Sequence, residues 1–205
     1  TISGEGFSFR AKKLVLAIPP PLLQGIRFDP ILPAAKMQLF QRMPMGAVWK
    51  CYAIYPTPFW RKEGLNGLVA SNEGHTRLVF DNSPYDGSKG ILMGFVLADE
   101  ARHFSTLPAQ ERQASITASL VKYFGPQAAG MELYTDQGWQ EEPWSRGCYA
   151  AMMGPHTLST MGKELRKPAG HIHFAGTETA EIWNGYMEGA VRSGYRESAI
   201  LLTMI

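Results

Sequence analysis

The most constraining feature of this sequence is one run, HFAGTETA at residues 173–180, which is followed by WNGYMEGA at 183–190. Its first part predicts a short apolar strand through Ile172 and Phe174, and then a polar turn at Gly176. The residues after that turn are typical of a long helix. The run therefore predicts a strand, a turn and a helix in close succession.

The helix is predicted to begin near Gly185, and Gly185, Gly189 and Ser193 follow one another at the spacing of one helical face. Glycine inside a helix costs roughly 1 kcal/mol relative to alanine, so this face is expected to let something approach the backbone closely. The start of a helix also offers N–H groups and the positive end of a dipole, which suit an anionic or carbonyl-bearing ligand. Tight helix–helix packing explains the same residues equally well, and the pattern leaves both interpretations open.

Three further groups of residues give this pattern a family context. The run at 173–190 resembles the segment of the flavin-containing monoamine oxidases in which strand, turn and helix close over the isoalloxazine of FAD. GCY at 147–149 resembles the place where that family attaches its flavin covalently. PMGAVWKC at 44–51 and PFWRK at 58–62 resemble a strand region of its substrate domain. The resemblance keeps the same order along nearly the whole chain.

This resemblance implies an activity and a set of catalytic residues. The activity is oxidative deamination of amines by FAD, with dioxygen as acceptor and an imine or aldehyde and hydrogen peroxide as products. Tyr149 and Tyr186 would form an aromatic cage in front of the flavin, because electron-rich ring faces can hold and align an amine. Lys50 would contact the flavin N5 region through water. Primary or secondary arylalkyl amines are the implied substrate class, without a specific amine.

The implied cofactor is FAD, with a covalent bond from Cys148 to its 8α carbon. The remaining flavin contacts implied by the resemblance are Trp139, Gly176, Thr177, Glu178, Gly185, Tyr186 and Met187. Residue types alone give plainer alternatives. Cysteine in an apolar context is ordinarily a small buried hydrophobe, which is the prediction for Cys51, and tyrosines are more often core residues. A lysine in an apolar strand, such as Lys50, is usually an edge or snorkelling residue.

The implied fold class is α+β, a mixed β-sheet with covering helices plus C-terminal pieces of an α/β FAD-binding domain. Residues 1–20 would be strands of the FAD-binding domain, 21–145 the substrate-binding domain, and 146–205 the C-terminal FAD-binding segment. Local patterns predict a hairpin turn at 4–6, strands at 7–11, 13–18 (buried on both faces), 45–55, 67–71, 77–80, 91–97 and 131–134, and helices at 33–42, 107–124 and 156–165.

No Gly-x-Gly-x-x-Gly motif follows a strand in this sequence, although an FAD enzyme of this type needs one for the pyrophosphate. The family carries that motif near its N-terminus, so the chain is expected to be a C-terminal portion whose partner is the missing N-terminal part. Alone it is expected to be inactive. The alternatives are a non-catalytic substrate-domain fragment, a polyamine oxidase, or an L-amino-acid oxidase, which would need an arginine for the substrate carboxylate.

Composition argues against several other classes of protein. A formal charge of +2 does not favour nucleic acid or an acidic membrane, and two cysteines do not make a disulfide framework. His171 and His173 have no cysteine or carboxylate at ligand spacing, so no metal site is expected. Neither a signal peptide nor a transmembrane segment is predicted, which leaves the localisation open. A homodimer is compatible with the resemblance.

Overall fold

The computed structural model describes residues 1–204, which form two compact units. Unit 1 combines Thr1–Gly46 with the chain from Cys148 onward, and unit 2 is Ala47–Gly147. The strands are β1 (Ile2–Gly4), β2 (Phe7–Phe9), β3 (Leu14–Leu16), β4 (Val48–Tyr55), β5 (Val69–Ala70), β6 (Leu78–Asp81), β7 (Gly90–Leu97), β8 (Leu133–Gly138) and β9 (Ile172–Phe174). The α-helices are α1 (Ala34–Gln41), α2 (Ala98–Phe104), α3 (Ala109–Phe124), α4 (Thr157–Met161) and α5 (Met187–Leu202). This mixture confirms the α+β class.

Unit 2 is organised around a five-stranded antiparallel sheet in the order β5-β6-β7-β4-β8. Its two longest strands, β4 and β7, pair over their whole length from Val48↔Leu97 to Tyr55↔Gly90. Strand β8 pairs with the other side of β4, so β4 lies inside the sheet. The backbone hydrogen bonds of β4 are therefore satisfied on both sides.

Alternate residues of β4 point to one apolar core, as the period of two in a strand requires. Trp49, Cys51, Ala53 and Tyr55 are buried in this core. Helices α2 and α3 and the 3-10 helix Phe59–Glu63 supply the other side of it, with the buried residues Trp60, Ala101, Phe104, Ile116 and Leu120. The core lies on the helix-covered face of the sheet.

Unit 1 contains much shorter strands. β1 and β2 form the expected hairpin, with Gly6 at φ 76° in its turn. β3 pairs in parallel with β9, and Leu16 lies opposite Phe174. A second core forms where α1, α4 and the 3-10 helix Pro20–Gly25 meet β9, with the buried residues Leu23, Leu32, Leu39, Phe40, Met43, Ala151, Leu165 and Phe174. Sequence-distant segments thus share this core.

The structure corrects several of the predicted elements. The strand predicted at 13–18 is not buried on both faces: only Leu14–Leu16 is extended and Val15 is 37% exposed, because β9 is the only described strand beside it. The strand predicted at 131–134 lies at Leu133–Gly138, where it pairs with β4. Helix α2 was not predicted, because its seven residues span fewer than two turns and show no extended apolar period.

The last helix begins at Met187, two residues after Gly185, which has φ 83° and so precedes the helix. The unit boundary also differs from the predicted domain boundary: residues 21–46 pack with the C-terminal segments in unit 1. The assignment of residues 1–20, 21–145 and 146–205 to cofactor and substrate domains stays a prediction. Among residues 1–204, no helix has the length and apolar character needed to cross a membrane.

Candidate functional site

The turn after β9 is shaped by two hydrogen bonds to the start of α5 and its second turn. Gly176 has φ 104°, a backbone conformation that side chains disfavour. Its N–H donates to Ser193 Oγ at 2.9 Å, and Thr177 Oγ1 donates to the carbonyl oxygen of Tyr186 at 2.8 Å. The predicted residues Gly176 and Thr177 are thereby held beside the predicted residues Tyr186 and Met187.

Glu178 connects this turn with the segment that follows the cysteine. Its carboxylate is buried, and Oε1 accepts the N–H of Ala151 at 2.9 Å. The carbonyl oxygen of Glu178 accepts a hydrogen bond from Asn184 Nδ2 at 2.8 Å. A buried carboxylate requires a donor such as the Ala151 N–H, because the carboxylate is otherwise costly to remove from water. Glu178 therefore joins two of the three sequence segments predicted to contact a flavin.

The segment at Cys148 runs against the end of the first part of unit 1. The N–H of Cys148 donates to the carbonyl oxygen of Gly46 at 3.0 Å, and the Cys148–Tyr149 peptide bond is cis. A Cβ on Gly46 would overlap the carbonyl oxygen of Cys148. Glycine at 46 is thus needed for this close approach. The role of Gly46 was not predicted from the sequence.

Two predicted tyrosines lie on neighbouring segments of unit 1. Tyr149 is 58% exposed and Tyr186 is 63% exposed. Their neighbours in the sequence, Ala150 and Gly185, lie close together: a Cβ built on Gly185 would be 4.0 Å from the Cβ of Ala150. Large aromatic rings exposed to this extent and brought to one place are typical of a binding surface rather than a core.

A third aromatic residue extends this surface. The ring of Trp183 meets the ring of Tyr186 edge-on, at 5.5 Å between centroids and 81° between planes. Trp183 has φ 59°, uncommon for a bulky residue, and its carbonyl oxygen lies where a Cβ on Gly189 would be. Trp183, Tyr186, Met187 and Glu188 line an open depression of about 520 Å³. Trp183 was not among the predicted site residues.

Unit 2 contains the other two predicted site residues, which lie close together. The Nζ atom of Lys50 is 5.3 Å from the centroid of the Trp139 ring and 5.9 Å from that of Phe95. Because β4 is an inner strand, the interpretation of Lys50 as an edge residue is wrong. Lys50 alternates with the core residues Trp49 and Cys51, so it projects from the face of the sheet opposite the helix-covered core.

The two cysteines have different surroundings. Cys51 is buried in the core of unit 2 as predicted, and burial raises the pKa of its thiol to about 12, with smaller effects from Tyr134, Asp136 and Arg112. A thiol with such a pKa is a poor nucleophile at neutral pH. Cys148 is partly exposed in unit 1. Of the two, Cys148 is the one accessible for covalent chemistry.

Several features of the described residues fit a flavin. The indole N–H of Trp139 and the side-chain amide of Gln140 are buried without a hydrogen-bond partner in residues 1–204. The N-terminus of α5, at Tyr186 and Met187, is not capped by any described side chain. Carbonyl and nitrogen acceptors of a flavin ring would suit the Trp139 and Gln140 donors of unit 2 and, considered separately, the N–H groups at the start of α5 in unit 1. Within the same residues, no three His, Cys, Asp or Glu side chains form a candidate metal site.

Sequence reasoning missed the polar side chains that fix this site. Arg196 and Glu197 of α5 and His173 of β9 connect the helix to β9 and to the turn by buried and partly buried hydrogen bonds. The available signal was the spacing of four, which continues from Gly189 and Ser193 to Glu197, all three of them buried. The small-residue face therefore packs against the chain's own strand β9 and the turn after it, and not against another helix as the packing interpretation proposed.

Comparisons with known proteins agree on one family. The profile of the flavin containing amine oxidoreductases matches residues 1–202. The chain is 42% identical over 194 residues to the probable flavin-containing monoamine oxidase A of Dictyostelium discoideum, and 40% identical over 200 residues to the flavin-containing amine oxidase A of Equus caballus. These alignments cover 95% and 96% of this chain but 42% and 38% of the relatives. The chain therefore spans less than half the length of these relatives.

Solved structures extend the similarity to the fold. A mutant from a structure-based redesign of cofactor binding in putrescine oxidase superposes with a TM-score of 0.92 at 37% identity, over 95% of this chain and 43% of that one. The cyclohexylamine oxidase from Brevibacterium oxydans superposes with a TM-score of 0.91 at 36% identity, over 97% of this chain and 44% of that one. The similarity covers both units.

Proposed function

This chain belongs to the flavin containing amine oxidoreductase family, and on that premise we propose that the protein containing it oxidises amines with FAD and dioxygen. Bound FAD would supply two-electron redox chemistry: the amine loses a hydride from its α carbon and a proton from its nitrogen and becomes an imine, and these two electrons and two protons reduce dioxygen to hydrogen peroxide. Water then converts the imine of a primary amine to an aldehyde and ammonia. The observation that carries this proposal is the convergence in unit 1 of three sequence segments, which contain Cys148 with Tyr149, Glu178, and Tyr186.

The residues of unit 1 have distinct proposed roles. Cys148 would hold the flavin by a thioether at the 8α carbon, because it is the accessible one of the two cysteines. Tyr149 and Tyr186 would present their ring faces to the amine and exclude water around it. Gly176, Thr177, Glu178, Gly185 and Met187 would shape the backbone that faces the flavin. No side chain needs to act as a general acid or base in this scheme.

Two residues of unit 2, Lys50 and Trp139, also have proposed roles toward the flavin. Lys50 would hold a water at the flavin N5 region, and its ammonium group lies against the Trp139 ring. The dinucleotide fingerprint is absent from the sequence, so the pyrophosphate would be bound by an N-terminal portion, and the 205 residues alone would not turn over amines.

Relatives named monoamine oxidase, putrescine oxidase and cyclohexylamine oxidase support a small amine as the substrate. A diamine remains the second candidate, on the similarity to putrescine oxidase. Rates of oxidation of benzylamine, cyclohexylamine, putrescine and an L-amino acid distinguish these substrate classes.

The test uses the full-length protein that contains this chain. We expect flavin absorbance that one of these amines bleaches without oxygen, and peroxide formation when air is admitted. Acid precipitation should leave flavin on the protein, and Cys148→Ala should release it while the matched Cys51→Ala does not. Absence of flavin absorbance, or no bleaching by any amine, would contradict the proposal; flavin released equally from all variants would contradict the covalent bond alone.

A further inference from the structure

One arginine of α5 joins the two ends of the turn after β9. Arg196 Nη1 donates to the carbonyl oxygen of Thr179 at 2.7 Å. Its Nη2 donates to the carbonyl oxygen of Phe174 at 3.0 Å and contacts Thr179 Oγ1 at 3.1 Å. Phe174 is the last residue of β9, and Thr179 ends the 3-10 helix of the turn. A single guanidinium therefore spans the whole turn.

The guanidinium of Arg196 is itself held in place by Glu197 and, through it, by His173. Arg196 Nε donates to Glu197 Oε1 at 3.0 Å, and the other oxygen of Glu197 lies 3.0 Å from His173 Nδ1. The side chains of Glu197 and His173 are almost completely buried, at 3% and 1% exposure. Because both carboxylate oxygens have partners, Glu197 fixes the direction of the arginine relative to β9.

Further hydrogen bonds join Thr179, at one end of the turn, to Gly176 inside it. Thr179 Oγ1 donates to the carbonyl oxygen of Gly176 at 2.8 Å, and the N–H of Gly176 donates to Ser193 at 2.9 Å. Arg166 Nε also donates to the carbonyl oxygen of Thr179, at 2.8 Å. A displacement of Thr179 would therefore move Gly176 and the two residues between them.

We propose that Arg196 is a positioning residue that sets the geometry of the turn at 176–179, through its two-ended guanidinium rather than its charge. The inference rests on the proposed function, in which this turn faces the flavin. A planar guanidinium donates in fixed directions to two acceptors, whereas a lysine ammonium at position 196 keeps the charge but reaches one end of the turn. Loss of the second end lets Thr177 and Glu178 move relative to Tyr186 and Ala151.

The test compares Arg196→Lys with Arg192→Lys, one turn earlier on the same helix. Arg192 pairs with Glu188 on the surface and has no hydrogen bond to the turn in the described residues. Both changes are made in full-length protein carrying Cys148→Ala, so that FAD binds reversibly. The measurements are the FAD dissociation constant, the visible circular dichroism of the bound flavin, and the melting temperature of the apoprotein.

We expect Arg196→Lys to weaken FAD binding about tenfold and to change the flavin dichroism, because charge-assisted hydrogen bonds at one end of the turn are lost. Arg192→Lys should leave both within about twofold of the parent. If Arg196→Lys does not fold, Glu197→Gln tests the same idea, with an expected weakening of about threefold. Unchanged binding and dichroism in the folded variants, even with a lower melting temperature, would overturn the proposal. A parent protein without flavin would instead overturn the proposed function on which it rests.

Discussion

In unit 2, two paired eight-residue strands send alternate side chains into one apolar core, whereas the described part of unit 1 has no strand longer than three residues. Unit 1 also has an apolar core, but its turn and loops are connected by hydrogen bonds from individual side chains, among them Glu178, Ser193 and Arg196. The form of the sheet thus follows from a repeated pattern, and the form of the site from a few polar residues.

The two tryptophans Trp60 and Trp183 show the same contrast. Trp60 is completely buried, and its Nε1–H donates to Asp81 Oδ2 at 2.9 Å. Trp183 is 55% exposed and contacts Tyr186 at the open depression. One tryptophan therefore stabilises its unit, whereas the other is available to a ligand.

The largest expected effect separates these two residues. Trp60→Ala should lower the free energy of unfolding of unit 2 by about 3–5 kcal/mol, because it removes a fully buried ring and leaves Asp81 without one donor. Trp183→Ala should lower the stability of unit 1 by less than about 1 kcal/mol. Native-state hydrogen exchange of the amides of β4 and β7, and of β9 and α5, measures the two units separately. Equal losses of stability in the two variants would contradict the contrast between Trp60 and Trp183.

A smaller effect is expected from a charge in the core of unit 1. Lys36 is completely buried, with Nζ 4.0 Å from the centroid of the Phe174 ring and a hydrogen bond to the carbonyl of Glu164. Burial lowers the pKa of Lys36 to about 8, and the Glu164 carboxylate offsets only part of this. The unfolded chain binds the proton more tightly than the folded one, so this group's contribution to stability rises with pH between about 8 and 10.5.

Lys36→Met should remove that pH dependence. Relative to the variant, the wild-type protein should gain up to about 3 kcal/mol of unfolding free energy as the pH rises from about 8 to 10.5. Denaturant unfolding of both proteins across this range gives the difference. A difference that stays constant with pH would show that the amine is not held in a dry environment.

Much of the sheet could be predicted from the sequence, because strands and long helices repeat an apolar pattern over many residues. One atypical residue does not obscure such a pattern. The pattern at 91–97 gave strand β7, and the apolar face of 107–124 gave α3 with its end at Gly125. By contrast, a buried Lys36 has no signature in a helix that otherwise shows Met37, Leu39 and Phe40.

The site was predicted by residue type but not by its supports. Tyr186 and Glu178 were identified through the family resemblance, whereas Arg196, Glu197 and Asn184 were not, since their partners are backbone groups or residues up to 24 positions away. A hydrogen bond between distant residues leaves no local periodicity. The strand at 13–18 was overestimated for a related reason: an apolar run indicates a strand but not how many neighbours cover it.

The smallest expected effect on stability, with a clear effect on turnover, concerns the exposed tyrosines. Tyr149→Ala or Tyr186→Ala should lower kcat/KM for amines by more than about tenfold, while Tyr→Phe at either position is much milder, because the ring face makes the contact. Unfolding free energies should change by less than about 1 kcal/mol. Steady-state assays of the four variants in the full-length protein measure these changes in kcat/KM. Phe variants as impaired as the Ala variants would assign the role to the hydroxyls.

The most direct test of the account is hydrogen exchange in the full-length Cys148→Ala protein with and without FAD. We predict that FAD slows exchange at least about tenfold at the amides of residues 149–151, 176–179 and 186–189 in unit 1, and leaves the β6–β7 ladder of unit 2 unchanged. Slower exchange confined to the sheet of unit 2, or equal at every amide of both units, would contradict the claim that the flavin-facing segments lie in unit 1.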